Sequence, residues 1–182
     1  MPAVTLEPCV ADDRPGLKAM FQLYVHDFSE HWAGTDRGEL GEDGRFEAYP
    51  GLDRYWIEPE RSAWFIRVDG HLAGFALLSA SSHSGEPADH DMAEFFVVRK
   101  HRRGGIGFAA ASQLIAPRRG RWEIAVTRSN VGALAFWRRV AAEMASGEVD
   151  ELWLDDARWN GAILRFVVAR PTLDAAASTG QL

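Results

Sequence analysis

Cysteine is almost missing from this chain. Cys9 is the single one in 182 residues, which excludes an internal disulfide and a cysteine-rich zinc site, and no metal is expected. Such usage fits a reducing compartment, so the expected location is cytoplasmic. Lysine is nearly as scarce, with two residues (Lys18 and Lys100) against eighteen arginines; that ratio reads as genome composition rather than as chemistry. No apolar run approaches the roughly 18 residues of a membrane span, and Met1-Pro2-Ala3 does not open a signal peptide. No membrane partner is expected. Tyr24, Tyr49 and Tyr55 are the only tyrosines. The sequence holds no G-x-x-x-x-G-K-[ST] phosphate loop, no internal repeat and no convincing domain boundary. What is present, 47% hydrophobic residues over this length, suffices for one sizeable core.

The net charge of −6 is unevenly spread. Ten acidic residues between Asp27 and Glu60 face only Arg37, Arg45 and Arg54, while Arg99, Lys100, Arg102 and Arg103 crowd one later stretch. The acidic segment argues against nucleic acid as a partner. Its plain reading is a solvated loop face. Its functional reading is a wall that attracts a cation, helped by the aromatics Phe28, Trp32, Phe46, Tyr49, Tyr55 and Trp56.

The periodicity predicts a mixed α+β order. Val4 to Pro8 reads as a strand, followed by a helix with Pro15 in its first turn and Leu17, Met20, Phe21, Tyr24 and Val25 on one face. Residues 34–51 read as loop, with a short helix near Leu52 to Ile57. Ser62 to Val68 and His71 to Ser79 form a hairpin through Asp69-Gly70. After a polar loop, Met92 to Val98 is a strand that feeds a glycine turn and a helix ended by Pro117. Trp122 to Thr127 is a strand, Asn130 caps a further helix, and two strands near Leu152 to Asp155 and Ala162 to Ala169 close the fold. The expected architecture is a mixed sheet of about six to seven strands flanked by about four helices, over residues 1–170, with residues 171–182 as a flexible tail.

Arg102-Arg103-Gly104-Gly105-Ile106-Gly107 is the most informative stretch. Three glycines let backbone groups approach an anion, and the unpaired amides and positive end of the next helix point at the same place. Gly105 to Ala110 also satisfies a relaxed dinucleotide fingerprint, G-x-G-x-x-A. A hairpin precedes it, however, and Glu123 stands near the start of the next strand rather than at its end, so that reading is poor. Arg102, Gly105 and Gly107 meet the pattern [QR]-x-x-G-x-[GA]. With the strand before them and Asn130 to Trp137 after them, the sequence resembles the Gcn5-related N-acetyltransferase (GNAT) superfamily from Val4 to Ala169. In detail it is similar to a bacterial subgroup of acetyltransferases sharing Tyr-x-His-Asp-Phe-Ser-Glu, here Tyr24 to Glu30.

The resemblance implies acetyl-coenzyme A as donor. Phe96, Val97 and Val98 would bond the pantetheine arm through the main chain, Arg102 to Gly107 would hold the pyrophosphate, and the Val97 amide would face the thioester carbonyl. Such a donor is worth roughly 3–4 kcal/mol in other acyl-transfer enzymes. Homodimers are common in the superfamily, so a homodimer is one expectation. Glu94 is the candidate base. Alternation puts it on one face with Met92, Phe96 and Val98, where it interrupts an apolar row; an ordinary ion pair is the competing reading. His90, Asp91, His26 and His31 are alternative bases. Asn130 is both a helix cap and, by resemblance, close to the coenzyme. Trp137 stands where the family often carries a tyrosine that protonates the thiolate, and an indole N–H is no useful acid. Any of Tyr24, Tyr49 and Tyr55 could take that role, since spacing does not choose among them; Tyr24 and Tyr55 are the candidates carried forward. Asp27, Phe28, Glu30, Asp53 and Trp56 are the candidates for binding the acceptor, a small cationic amine. The alternative is a non-catalytic acyl-coenzyme A-binding module with an acidic and aromatic interaction surface.

Overall fold

Asp69 and Gly70 adopt φ of 48° and 80°, the two left-handed residues that a tight hairpin turn demands. They fold Ser62–Val68 (β2) onto His71–Ser79 (β3), as the Asp-Gly pair predicts. The computed structural model describes residues 2–169; the expected tail lies outside the described residues. Around this hairpin the chain builds a seven-stranded sheet from Val4–Pro8 (β1), β2, β3, His90–Val97 (β4), Gly120–Thr127 (β5), Asp150–Asp155 (β6) and Asn160–Val168 (β7). The spatial order is β1-β2-β3-β4-β5-β7-β6. Within this sheet only β4 and β5 run parallel.

Among the described residues three α-helices cover the sheet, one fewer than expected: Arg14–Phe28 (α1), Ile106–Ile115 (α2) and Val131–Met144 (α3). The short helix anticipated near residue 52 is a 3-10 helix over Leu52–Trp56, and Pro59 prevents its continuation. Among the described residues, no helix is long and apolar enough to cross a membrane.

The two faces of β3 show how the core divides. Phe75 and Leu77 meet Leu17, Met20 and Phe21 of α1, whereas Ala76 and Leu78 meet Leu114 and Ile115 of α2 and Trp137 and Val140 of α3. With both faces covered, β3 is buried almost throughout, and its sequence is correspondingly a continuous apolar run. Gly74 lets β3 lie against β4: a Cβ there would stand 2.1 Å from the Phe96 carbonyl oxygen.

One expectation fails in an instructive way. Strict alternation was to place Met92, Glu94, Phe96 and Val98 together, but the β3–β4 register slips between Leu77 and Leu78, so that Leu77 pairs with Glu94 and Leu78 with Met92. The extra residue is Ala93, and a bulge of this kind reverses the side chains on one side of it. Met92 therefore packs with Phe95 on the α2/α3 face, while Glu94, opposite Leu77, shares the α1 face with Phe96 and Val98.

Candidate active site

β4 and β5 pair only at His90–Trp122 and Asp91–Glu123 and then part. Beyond Asp91 the β5-facing edge of β4 thus runs without a ladder partner. Val98 donates its amide to the Ala73 carbonyl at 2.8 Å, and its own carbonyl accepts from the His101 amide at 2.9 Å. Both main-chain groups of Val98 are spent, which removes it from the expected set of coenzyme contacts. Because amides alternate along a strand, Val98 facing β3 turns Phe96 the same way and Val97 and Phe95 toward the open edge. Phe95 was not foreseen.

The glycine turn ends β4 and starts α2. Arg103 and Gly105 take φ of 65° and 80°, and Gly105 is the residue before the first helical turn. A Cβ on Gly104 or Gly105 would meet nothing within 4 Å, and no side chain caps the start of α2, so the turn is uncrowded and the first amides of the helix have no side-chain partner. An uncovered helix start of this form suits an anion such as a diphosphate. The Arg102 side chain also has a task within the protein. It donates Nε–H to the Val97 carbonyl at 2.6 Å and Nη2 to Asp27, and Arg99 donates to the other Asp27 oxygen at 2.8 Å. Two guanidinium groups hold the Asp27 carboxylate, which ties the end of α1 to the start of the turn.

A cavity of about 1380 Å³ occupies the gap between β4 and β5 and extends under residues 36–50. At its α3 end stand Asn130 and Trp137. Asn130 caps α3, accepting the Ala133 amide at 3.0 Å. Trp137 is 6% exposed and packs edge-on to Phe95 with centroids 5.2 Å apart. At the other end, Glu94 is partly buried among the three tyrosines, all of which line the cavity. Tyr24 donates its hydroxyl to Glu94 Oε2 at 2.5 Å, and the Tyr49 hydroxyl stands close enough to favour the charged carboxylate as well. Desolvation raises the Glu94 pKa to about 7, against the lowering effect of the two hydroxyls. The phenols are pushed upward as well, Tyr24 and Tyr49 strongly and Tyr55 to about 12, first by burial; Arg61 beside Tyr55 opposes the shift. At neutral pH the group is thus a titrating carboxyl surrounded by protonated hydroxyls.

Removing the Tyr24 hydroxyl tests this balance. A hydrogen bond to the charged carboxylate lowers its pKa, so Tyr24→Phe raises the Glu94 pKa above its present value near 7. Any rate that needs the carboxylate then shifts its rising limb to higher pH, which a pH–rate profile reads directly.

Of the residues expected to meet the acceptor, Phe28 lines the cavity. Asp27 is occupied by the arginines. Glu30 lies at the surface 3.7 Å from His31, and Asp53 lies at the surface beside Arg14 and Lys18 at 3.8 and 3.9 Å. Trp56 donates its indole N–H to the Cys9 carbonyl at 2.8 Å and is capped by Arg14. The structure does not bring these four to the cavity. In their place stand Tyr49, Arg61, His83 and Asp91.

The loop that carries His83 has its own anchor. Glu123 on β5 is 2% exposed and accepts the His83 amide at 2.9 Å, the Ser84 amide at 3.3 Å and the Ser82 hydroxyl at 3.2 Å, with the Ser84 hydroxyl as a fourth donor. The signal was a charged residue inside the apolar run Trp122-Glu123-Ile124-Ala125-Val126. Among the described residues, no group of three or more histidine, cysteine, aspartate or glutamate side chains is arranged to hold a metal ion.

The comparisons with known proteins agree with this architecture. No curated protein matches the chain in sequence. An acetyltransferase from Thermus thermophilus superimposes with a TM-score of 0.61 at 20% identity, covering 91% of this chain and 96% of that one. The aminoglycoside acetyltransferase AAC(6')-Ib, solved with coenzyme A and kanamycin, gives a TM-score of 0.60 at 11% identity, covering 91% and 95%. The ribosomal-protein-S18-alanine N-acetyltransferase of Escherichia coli gives 0.51 at 13%, covering 94% and 98%. At these identities the likeness establishes the fold. The model of the Acetyltransferase (GNAT) family matches residues 17–142, well over half of the sequence, and on that match, with the glycine turn and the parted strands in place, the chain belongs to the GNAT acetyltransferase family.

Proposed function

We propose that this protein moves the acetyl group of acetyl-coenzyme A directly onto a primary amine of a small cationic molecule, with Glu94 as the base. The observation that carries the reading is the Glu94 carboxyl, poised to titrate near 7 inside the cavity that adjoins the open edge of β4. Acetyl-coenzyme A, the donor of this family, supplies the acetyl group as a thioester. The free space at Gly104 and Gly105 and the uncapped start of α2 fit its diphosphate, and the Val97 and Phe95 edge fits its extended arm. The Val97 amide is the donor assigned to the carbonyl oxygen.

Glu94 accepts the amine proton, since only the neutral amine is nucleophilic. The proton then lies one hydrogen bond from Tyr24, which passes it toward the departing thiolate; Tyr55 is the second hydroxyl assigned to that side of the cavity. A phenol held at or above about 12 is a weak acid, and a thiolate is a fair leaving group without help because its parent thiol has a pKa of about 8.5. Loss of the usual tyrosine at Trp137 therefore slows such a reaction without abolishing it. Direct transfer is favoured over a covalent acyl-enzyme by the state of the lone thiol. Cys9 is buried against α1, and desolvation with Asp13 and Glu7 pushes its pKa up to about 12, so it is no nucleophile at neutral pH.

The deciding experiment follows thiol release from acetyl-coenzyme A across matched amines and alcohols. Amine-dependent release, with an acetamide found by mass spectrometry, is the expected result. Tight coenzyme binding without turnover over a broad panel would transfer the conclusion to a non-catalytic acyl-coenzyme A-binding module, the reading that Trp137 favours. The donor half has a separate test. Valine at Gly105 is β-branched at a left-handed φ and strains the turn by roughly 1–3 kcal/mol. Its side chain also enters the free space before α2. Gly105→Val is expected to weaken coenzyme A binding, measured by calorimetry, by about tenfold or more, equivalent to about 1.4 kcal/mol.

A further inference from the structure

A second carboxyl group lines the same cavity, and the acetyl-transfer steps above make no use of it. Asp91 is 1% exposed. Its Oδ2 accepts the Ser79 hydroxyl at 3.0 Å, but Oδ1 has no hydrogen-bond partner among the described residues. Buried carboxyl oxygens are rarely left so, because desolvation without a partner is costly. The charged and titratable groups that face Asp91 are Glu94 on its own strand, Glu123 on β5 and Arg61 ahead of β2. Arg61 is the basic one, and it is engaged elsewhere, donating to Glu58 at 2.7 Å and to the Tyr55 hydroxyl at 3.4 Å. Asp91 thus faces two other acids and a cation already paired.

The register places this group relative to the base. Asp91 pairs with Ser79 and Glu94 with Leu77, so the bulge at Ala93 brings both carboxyls to one face, two β3 residues apart. At about 3.3–3.4 Å per residue this is a separation of roughly 7 Å along the strand. Tyr49 and Tyr55 line the same cavity near both carboxyls, and aromatic rings tolerate alkyl chains and cations alike.

We infer that the acceptor is an aliphatic diamine, or the diamine unit of a longer polyamine, whose reacting nitrogen meets Glu94 while its second, protonated nitrogen seats on Asp91. The inference rests on the N-acetyltransferase reading above and names its substrate class. The unpaired Oδ1 receives the ammonium as a charge-assisted partner. Burial and the neighbouring acids keep Asp91 protonated to about pH 8 in the free protein, so seating the ammonium displaces a proton from the carboxyl.

Three acceptors of equal chain length test this: diaminobutane, aminobutanol and butylamine, with thiol release measured on the unmodified protein and on Asp91→Asn. Per reacting nitrogen, the unmodified protein is expected to prefer diaminobutane over aminobutanol by about tenfold or more in kcat/KM, and the ratio should collapse toward one in Asp91→Asn. A second measurement needs no variant. Calorimetric titration of the coenzyme A complex at pH 7, in two buffers of different ionisation enthalpy, should show diaminobutane releasing about one more proton than aminobutanol. A ratio near one in the unmodified protein, a ratio that survives in Asp91→Asn, or equal proton release would each overturn the diamine assignment. Acetylation of other amines in that case would leave the N-acetyltransferase reading standing. Failure to acetylate any amine while coenzyme A binds would remove that reading itself.

Discussion

Glu94→Gln lowers kcat/KM for the amine by about 100-fold or more, the usual worth of a positioned general base. The substitution keeps the side-chain volume and still accepts the Tyr24 hydroxyl, now 2.5 Å from Oε2, so the cavity and the fold persist while the proton acceptor is lost. The pH profile carries the sharper information. Desolvation raises the Glu94 pKa to about 7, above the ordinary carboxylate range, and the base acts only when deprotonated. Below about 7 the rate of the unmodified protein should therefore fall about tenfold per pH unit, and above it the rate should level off. In Glu94→Gln that rising limb disappears. If the variant kept both the rate and the limb, the proton would be going elsewhere, and Asp91 would be the first group to test.

The second large effect concerns folding as well as acceptor binding. Glu123→Ala is expected to cost about 3–5 kcal/mol, because it deletes a buried charged acceptor and strands the groups that point at it. Those groups are the amides of His83 and Ser84 and the hydroxyls of Ser82 and Ser84. For a chain of this size the cost corresponds to a fall in Tm of roughly 6–20 °C, measured by calorimetry. The loop it holds carries Ser81 and His83 into the cavity, whereas the glycine turn lies on other elements. At a temperature where the variant is folded, KM for the acceptor should therefore rise while the Kd of coenzyme A holds. Glu123→Gln retains two acceptor lone pairs and should recover part of the stability. Equal losses of acceptor and coenzyme affinity would show that Glu123 supports the whole molecule rather than this loop.

Both effects involve residues whose surroundings were hidden in the sequence to different degrees. Glu94 stood out because a charge interrupts an apolar strand. The face assigned to it was only half right, because strict alternation cannot foresee the residue inserted at Ala93. Glu123 gives the same kind of signal, but in the sequence it bears only on the dinucleotide fingerprint, since its partners lie about forty residues earlier in the loop. Asp27 shows the reverse error. Its acidic, aromatic neighbourhood suggested a substrate cation, yet the cations it holds are Arg99 and Arg102, more than seventy residues later.

By itself the sequence determined whatever depends on a few neighbouring residues. Asp-Gly specifies the hairpin because two left-handed positions are needed there. Asn130 specifies the start of α3 because its side chain satisfies an amide three residues on, and the glycine turn specifies an uncovered helix start because it has no side chains to cover it. From these pieces the order of elements along the chain, the family and the donor were legible. The tertiary structure alone decided the register of β4, the parting of β4 from β5, and which acids keep a free oxygen and which are paired. Those outcomes depend on contacts between distant segments and on desolvation, and neither leaves a local pattern. The cavity around Glu94 is built almost wholly from such contacts, which is why the sequence could name Tyr49 and Asp91 only among several candidates and the structure was needed to bring them beside Glu94 and to show what Glu123 holds.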